Sequence, residues 1–249
     1  MPRDYTPFRS TAATEFGFLT GPSGSGTTET AKQLAATVYG SADALIRLDM
    51  TEYANEEDAR MKLIGASSVW KNSSIHGLLT TKVIVQPRSV VLLDEFEKAH
   101  PSVWNVFLQV FDEGRLTDGW GNVASFAETI VVLTSNLGVR EGSARAAGFG
   151  DKGDFDAARQ DAVITEAMPP ELLNRITATV RFDSLSPEAV RDIARMELTR
   201  AFERFSQNGW QIEFDDEVVE WISRSGYDAR YGARHVQRTI ESELFPRRD

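Results

Sequence analysis

Chemistry in this chain concentrates where apolar runs stop. The run Phe16-Gly17-Phe18-Leu19 gives way to Thr20-Gly21-Pro22-Ser23-Gly24-Ser25-Gly26-Thr27-Thr28-Glu29. Two glycines with four residues between them, Gly21 and Gly26, followed by hydroxyl residues, have the spacing of a phosphate-binding loop, in which glycines let backbone N–H groups close around phosphate oxygens. A helix following directly would add its positive N-terminal end. Thr28 would then offer its hydroxyl to Mg²⁺, and Thr27 stands where the spacing calls for lysine. Taken alone, so Gly/Ser-rich a stretch is equally an ordinary turn.

A second group, Asp94-Glu95, ends the run Ser89-Val90-Val91-Leu92-Leu93. In that setting Asp94 would hold the Mg²⁺ shell and Glu95 would orient and deprotonate a water attacking a phosphoryl group. The bland alternative, a solvated acidic turn, loses ground because a phosphate-loop pattern precedes it. Asn136, after Ile130-Val131-Val132-Leu133-Thr134-Ser135, has the reach to bond a γ-phosphate or that water, although asparagine is also a common turn former. Arg175 lies in Pro170-Glu171-Leu172-Leu173-Asn174-Arg175-Ile176 and by itself reads as a helix-end cation. Arg234 opens the last expected helix, where a cation opposes the helix dipole. An anionic ligand would supply a reason for that placement.

The elements that must position these groups follow from periodicity. Residues 44–48, 89–93, 129–133 and 177–182, with Phe16 to Leu19, form five short runs that are nearly continuous in apolar or β-branched residues, as in strands covered by helices on both faces. Four of them end in polar residues on one expected sheet edge, where open α/β sheets bind ligands. Ala31, Leu34, Ala35 and Val38 recur at helical spacing up to Gly40, and Pro101 to Glu113 carries Val103, Phe107, Val110 and Phe111 on overlapping faces. After Phe182 the pattern changes. Ser186-Pro187-Glu188 is a helix start, and Val190, Ile193, Ala194, Leu198, Phe202 and Phe205 form one stripe closed by Asn208-Gly209. A short strand at Ile212-Glu213-Phe214 and two further helices are expected beyond it. The reading is therefore an α/β domain with a parallel five-stranded sheet flanked by helices, over 16–183. A loose segment, 1–15, precedes it, and a small, mostly helical domain, 184–249, follows.

Composition narrows the classes. The net charge of −10 over 249 residues argues against a nucleic-acid surface, which needs Lys and Arg to neutralise phosphates. No apolar run approaches the roughly 18 residues that span a bilayer, and Met1-Pro2-Arg3-Asp4 lacks the apolar core of a signal peptide. With no cysteine, a cytoplasmic protein without membrane contact is expected.

Six blocks then carry a resemblance: Leu45-Ile46-Arg47-Leu48-Asp49-Met50-Thr51-Glu52-Tyr53, Val90 through Pro101, Gly114-Arg115-Leu116-Thr117-Asp118-Gly119, Thr134-Ser135-Asn136-Leu137-Gly138, Leu173-Asn174-Arg175-Ile176 and Tyr231-Gly232-Ala233-Arg234. In order and near-expected spacing they resemble the second ATPase module of the Clp-type AAA+ unfoldases (ClpB, ClpA and ClpV). The resemblance implies ATP or ADP with Mg²⁺ as ligands, with Gly21 to Thr28 as Walker A and Asp94 and Glu95 as Walker B. It likewise implies Asn136 as sensor 1, Arg234 as sensor 2 and Arg175 as an arginine finger completing a neighbouring subunit's site. It also implies a hexameric ring that draws protein substrates through a central pore.

Three departures bear on activity. Thr27 is neutral and short, so it cannot reach the β- and γ-phosphates; a charge-assisted hydrogen bond is worth roughly 1.5–3 kcal/mol, and its loss implies weak binding and slower turnover. The family's pore loop Gly-Tyr-Val-Gly aligns with Val69-Trp70-Lys71-Asn72, keeping an aromatic, Trp70, but not the glycines. The family's helix before Walker A, part of the adenine pocket, has no counterpart in Met1 to Glu15. Thr27 admits two origins, an engineered Walker A substitution or a naturally degenerate module. Two functions accordingly stay open: an ATP-driven unfoldase module, and a non-hydrolysing nucleotide-sensing or scaffolding module of the same fold.

Overall fold

A computed structural model describes residues 15–66, 77–138, 152–206, 212–227 and 232–244. In chain order its elements are β1 (Glu15–Thr20), α1 (Thr27–Tyr39), β2 (Leu45–Asp49), α2 (Glu56–Ile64), α3 (Leu78–Val85), β3 (Val90–Asp94), α4 (Pro101–Glu113), β4 (Arg115–Thr117), β5 (Val123–Ser125), β6 (Ile130–Ser135), α5 (Lys152–Ala167), α6 (Pro170–Leu173), β7 (Ala178–Arg181), α7 (Pro187–Ser206), α8 (Asp216–Ser225) and α9 (Arg234–Thr239), ending in a π-helical turn, Ile240–Leu244. Backbone contacts divide the described residues into two compact units. One draws on 15–19, 28–135 and 162–180, and the other on 20–27, 136–161 and 181–244.

The first unit is built on a parallel five-stranded sheet of order β2-β3-β6-β1-β7. Strand β3 is buried along its whole length, because it lies between β2 and β6 in parallel register, Leu48 beside Leu93 and Leu93 beside Leu133. The apolar runs of the sequence are these strands. Helix α4 buries Val103, Phe107, Val110 and Phe111, and Phe111 meets Phe16 of β1 edge-on at 4.0 Å between ring centroids. Its start is capped by His100, whose Nδ1 accepts from the Ser102 N–H, with Pro101 at the first helical position; Gly114 ends it in the left-handed region. In α1 the expected stripe is narrower than the spacing suggests: Ala31 and Ala35 are buried, Leu34 is half-buried and Val38 is exposed.

Two expectations change. Strand β7 is exposed at all four positions; it stands at one end of the sheet, and the chain enters it through Thr177 N–H to Phe16 O at 2.9 Å. A small antiparallel hairpin, β4 with β5, follows α4; in each three-residue strand the middle residue, Leu116 or Ala124, is the buried one.

The second unit contains a helical core. Val190, Ala194 and Leu198 of α7, Val219 and Ile222 of α8, and Val236 and Ile240 bury one another. Ser186 caps α7 as expected, its Oγ accepting from the Ala189 N–H at 3.2 Å. Phe202 packs on Phe214 at 5.3 Å between centroids. Phe205, Asn208 and Gly209 lie outside the residues described at side-chain level. The expected strand at residues 212–214 is not one: the segment is irregular and leads to Asp215, the N-cap of α8. It has no partner strand among the described residues, and a strand without a ladder leaves its backbone groups to water.

Candidate functional site

In the first unit the acid pair sits where β3 leaves the sheet. Asp94 is 5% exposed, and its carboxylate is held from two sides. Its Oδ2 accepts from Arg47 Nη2 at 2.6 Å and Nε at 3.1 Å, and its Oδ1 accepts from Thr134 Oγ1 at 2.6 Å. The Thr134 oxygen in turn accepts from the Glu95 N–H at 3.1 Å. Donors on both oxygens fix the carboxylate in plane, with its direction set before any ligand arrives.

Glu95 has φ 57° and ψ 50°, and it is the one non-glycine with positive φ among the described residues. For an L-residue this left-handed conformation costs roughly 1–2 kcal/mol. The strain is held by the buried strand before it and by Phe96, fully buried after it. The bend turns the backbone out of the strand's direction at Glu95, directly after the buried Asp94. Two adjacent carboxylates thus have different surroundings and can take different tasks.

Arg175 follows α6 and is held by Asp112 in the last turn of α4. Arg175 Nε reaches Asp112 Oδ1 at 2.6 Å and Nη2 reaches Oδ2 at 2.9 Å, while Nη1 donates to the Glu171 carbonyl at 2.5 Å. The hydrogen bond with Arg175 holds the Asp112 carboxyl below its ordinary range, and the same bond pushes the Arg175 guanidinium up.

In the second unit the glycine loop has the backbone its spacing implies. Gly24 and Gly26 have φ 77° and 106°, a region open to glycine at little cost, and Ser25 N–H closes a turn on Pro22 O at 3.1 Å. Gly21 admits no side chain: an added Cβ would lie 2.6 Å from the Phe182 Cβ. Gly232 is also tight against the loop, where a Cβ would meet Gly24 O at 2.8 Å and Ser23 O at 2.9 Å. The chain then runs through Ala233, whose N–H points to Gly24 O at 3.4 Å, to exposed Arg234 at the start of α9. Gln160 ties the foot of the loop to the residues after β6, donating from Nε2 to Thr20 Oγ1 at 2.8 Å and to Leu137 O at 3.3 Å. Asn136, half-buried, precedes Leu137.

Ser25 supplies a test of what the loop accommodates. It is 8% exposed and its Oγ is buried with no hydrogen-bond partner. Such a group is costly unless a ligand or water satisfies it. Glycines with positive φ, a helix N-terminus and an unsatisfied hydroxyl form a donor set that fits phosphate oxygens. Thr27 and Thr28 open α1, both half-buried, with Glu29 behind them accepting from Gln33 Nε2 at 2.9 Å. No lysine charge enters at Thr27.

The expected residues therefore fall into two groups. Gly21 to Thr27, Asn136 and Arg234 belong to one unit, and Thr28, Glu29, Asp94, Glu95 and Arg175 to the other. Trp70 lies outside the described residues. Sequence reasoning gave no role to Arg47, Thr134, Asp112 or Gln160, each of which holds an expected site residue or its neighbour in place. Arg47 and Thr134 stand inside recognised blocks; Asp112 and Gln160 carry no local signal.

Comparison with known proteins gives two family matches. The profile described as the AAA domain (Cdc48 subfamily) matches residues 14–179, and that of the C-terminal D2-small domain of ClpB protein matches residues 185–247. Chaperone protein ClpB of Vibrio vulnificus is 40% identical over 234 residues, spanning 92% of this chain and 26% of that protein. The ATP-dependent Clp protease ATP-binding subunit ClpE of Streptococcus pneumoniae is 41% identical over 227 residues, 90% of this chain and 30% of that protein. The chain thus spans under a third of these relatives' length. Among solved structures, an S. cerevisiae Hsp104:casein complex superposes with TM-score 0.80 at 34% identity, covering 94% of this chain and 40% of that one. An S. cerevisiae Hsp104–ADP complex does so with TM-score 0.80 at 33% identity, covering 93% and 40%.

Proposed function

This chain belongs to the AAA ATPase family, as a Clp-type module with a ClpB-like small domain, and from that premise we propose that it binds ATP and ADP with Mg²⁺ and couples hydrolysis to the remodelling of protein substrates. The observation that carries the hydrolytic part is the acid pair: Asp94 clamped by Arg47 and Thr134, followed by Glu95 in a left-handed bend.

In this reading the glycine loop, Gly21 to Thr28, receives the phosphates through its N–H groups, and Ser25 Oγ gains the partner it lacks. Thr28 and Asp94 would hold Mg²⁺, which when bound offsets charge on the β- and γ-phosphoryl oxygens. Among the described residues no three carboxylate or histidine groups cluster to hold a metal by themselves. This suits an ion that arrives with the nucleotide and keeps most of its waters. Glu95 orients the attacking water and takes its proton. Asn136 and Arg234 bond the γ-phosphate side, and Arg175 completes a neighbouring subunit's site. That last role requires a ring, which we take to be a homo-hexamer, and Trp70 is assigned to grip the substrate polypeptide.

We propose domain limits of 16–183 and 184–249, a reading supported by one family match ending at residue 179 and the next beginning at 185. A cytoplasmic setting agrees with the absence of cysteine, and the charge of −10 disfavours nucleic acid. No helix among the described residues is long and apolar enough to cross a membrane.

Thr27 favours a second reading, a nucleotide-sensing or scaffolding module that does not hydrolyse. Calorimetric titration with ATP and ADP, and steady-state turnover, on the chain as it stands and as Thr27→Lys decide between them. The lysine should tighten binding about tenfold or more, from a charge-assisted bond of roughly 1.5–3 kcal/mol, and should raise turnover further, because the same charge stabilises the transition state. Binding without turnover in Thr27→Lys would leave the scaffold.

A further inference from the structure

Arg175 is held through three of its N–H groups before any neighbour is present. Its Nε and Nη2 form a side-on fork with both Asp112 oxygens, at 2.6 and 2.9 Å, and its Nη1 donates to the Glu171 carbonyl. A guanidinium carries five N–H groups. Three are engaged, which leaves one on Nη1 and one on Nη2. Those two remaining donors are what a phosphoryl group of adjacent oxygens would take.

The two residues that make this clamp stand on fixed elements. Asp112 follows Phe111 and Val110, both buried, in a helix whose end is set by Gly114. Arg175 follows Leu172, fully buried in α6, and its N–H bonds the Leu172 carbonyl at 3.1 Å. The arginine side chain is 34% exposed and that of Asp112 is 52% exposed, so the pair is partly open to solvent. An exposed ion pair contributes little to stability, but a bidentate fork fixes direction. A long arginine without it would lose rotamer freedom at each engagement.

We infer that Asp112 is the positioning residue for Arg175: it holds the guanidinium by one edge so that the two remaining N–H groups are presented in a constant direction to the neighbouring subunit's γ-phosphate. This rests on the reading of Arg175 as a finger acting in trans. A residue with this task affects the chemical step more than nucleotide affinity, because the charge that the guanidinium meets develops in the transition state. It also acts on the neighbour's turnover, not on its own.

The test uses the full chain in the Thr27→Lys form, with steady-state ATPase measured against ATP concentration. Arg175→Ala should lower kcat by at least a hundredfold, as for other trans fingers. Asp112→Asn, which keeps shape and removes charge, should lower kcat about ten- to hundredfold, the scale of an ångström-level misplacement, with KM changed less than about twofold. Asp112→Glu should recover part of the loss. Mixing Asp112→Asn subunits, which keep Glu95, with Glu95→Gln subunits, which keep a positioned finger, should give more turnover than the two measured apart. Loss of kcat in Arg175→Ala with none in Asp112→Asn would overturn the role of Asp112 and leave the finger standing. Turnover indifferent to Arg175→Ala would overturn the finger, and no turnover in Thr27→Lys would overturn the ATPase reading and this inference together. An Asp112→Asn defect that appears as raised KM, without rescue by mixing, would make the pair structural only.

Discussion

Arg47 lies diagonally across the sheet from Asp94 and donates two hydrogen bonds to a single carboxylate oxygen. In the parallel register of β2 and β3, Asp49 is paired with Asp94 and Arg47 with Leu92, so Arg47 is two positions back on the same side as the residue facing the acid. Asp49 is turned to another task, accepting from Thr51 N–H and Oγ1 at 3.0 and 2.6 Å. Arg47 is half-exposed while Asp94 is nearly buried. The cation therefore keeps one edge in water, and the acid has none to spare.

Removing that cation should be felt in the fold. Arg47→Ala is expected to destabilise by about 1.5–3 kcal/mol, the range for losing hydrogen bonds to a charged group, with Arg47→Lys in between. Urea denaturation of the three proteins measures it, and an alanine variant as stable as the parent would mean that water replaces the guanidinium.

Strain at Glu95 gives a prediction with opposite signs for stability and activity. Glu95→Gly keeps the N–H bonded to Thr134 and removes the left-handed penalty of roughly 1–2 kcal/mol, partly offset by the freedom glycine gains in the unfolded chain. The variant should be no less stable than the parent, by up to about 1 kcal/mol more, while ATP turnover in the Thr27→Lys background is lost. A clearly destabilised glycine variant would show that the Glu95 side chain contributes to packing.

Gly232 should tolerate no side chain. A Cβ there would sit 2.8 Å from Gly24 O with φ at 55°, so Gly232→Ala must displace the glycine loop or the start of α9. We expect a cost of about 1–3 kcal/mol, the usual penalty of overpacking, and weaker binding of ADP by calorimetry. An unchanged ADP affinity would separate this contact from the nucleotide.

The Asp112–Arg175 pair predicts an acid-dependent difference in melting. The folded-state value of Asp112 is depressed, chiefly by its hydrogen bond to Arg175. Its contribution is therefore complete above the ordinary carboxylate value of about 3.9 and is lost as pH falls through the lower, folded-state value. Asp112→Asn should melt below the parent at pH 7, and the gap should close on acidification below about pH 4. Thermal melts of both proteins across that interval test it, and a gap independent of pH would assign the effect to something other than this charge.

Several parts of this protein are local enough to be read directly from residues. The buried runs ending in Asp94 and Ser135, the glycine loop, the capped helix from Pro101 to Glu113 and the stripe from Val190 to Leu198 all state their structure within a dozen residues. In each, periodicity, caps and backbone freedom act between near neighbours. The bonds that aim the site are of another kind. Arg47 and Asp94 are 47 residues apart, Thr134 and Asp94 40, Asp112 and Arg175 63, and Thr20 and Gln160 140. A side chain paired across such a distance leaves no spacing behind it, and Asp112 reads as one more exposed acid at the end of a helix. The exposure of β7 was hidden for a related reason, since a strand's own residues do not say whether it lies inside a sheet or at its edge. Composition and pattern determined which elements form and which groups end them. The sheet order, the register and the close packing of backbone on backbone at Gly21 and Gly232 decided which partner each charged or hydroxyl group meets, because hydrogen bonds between distant segments form only once the chain has closed around them.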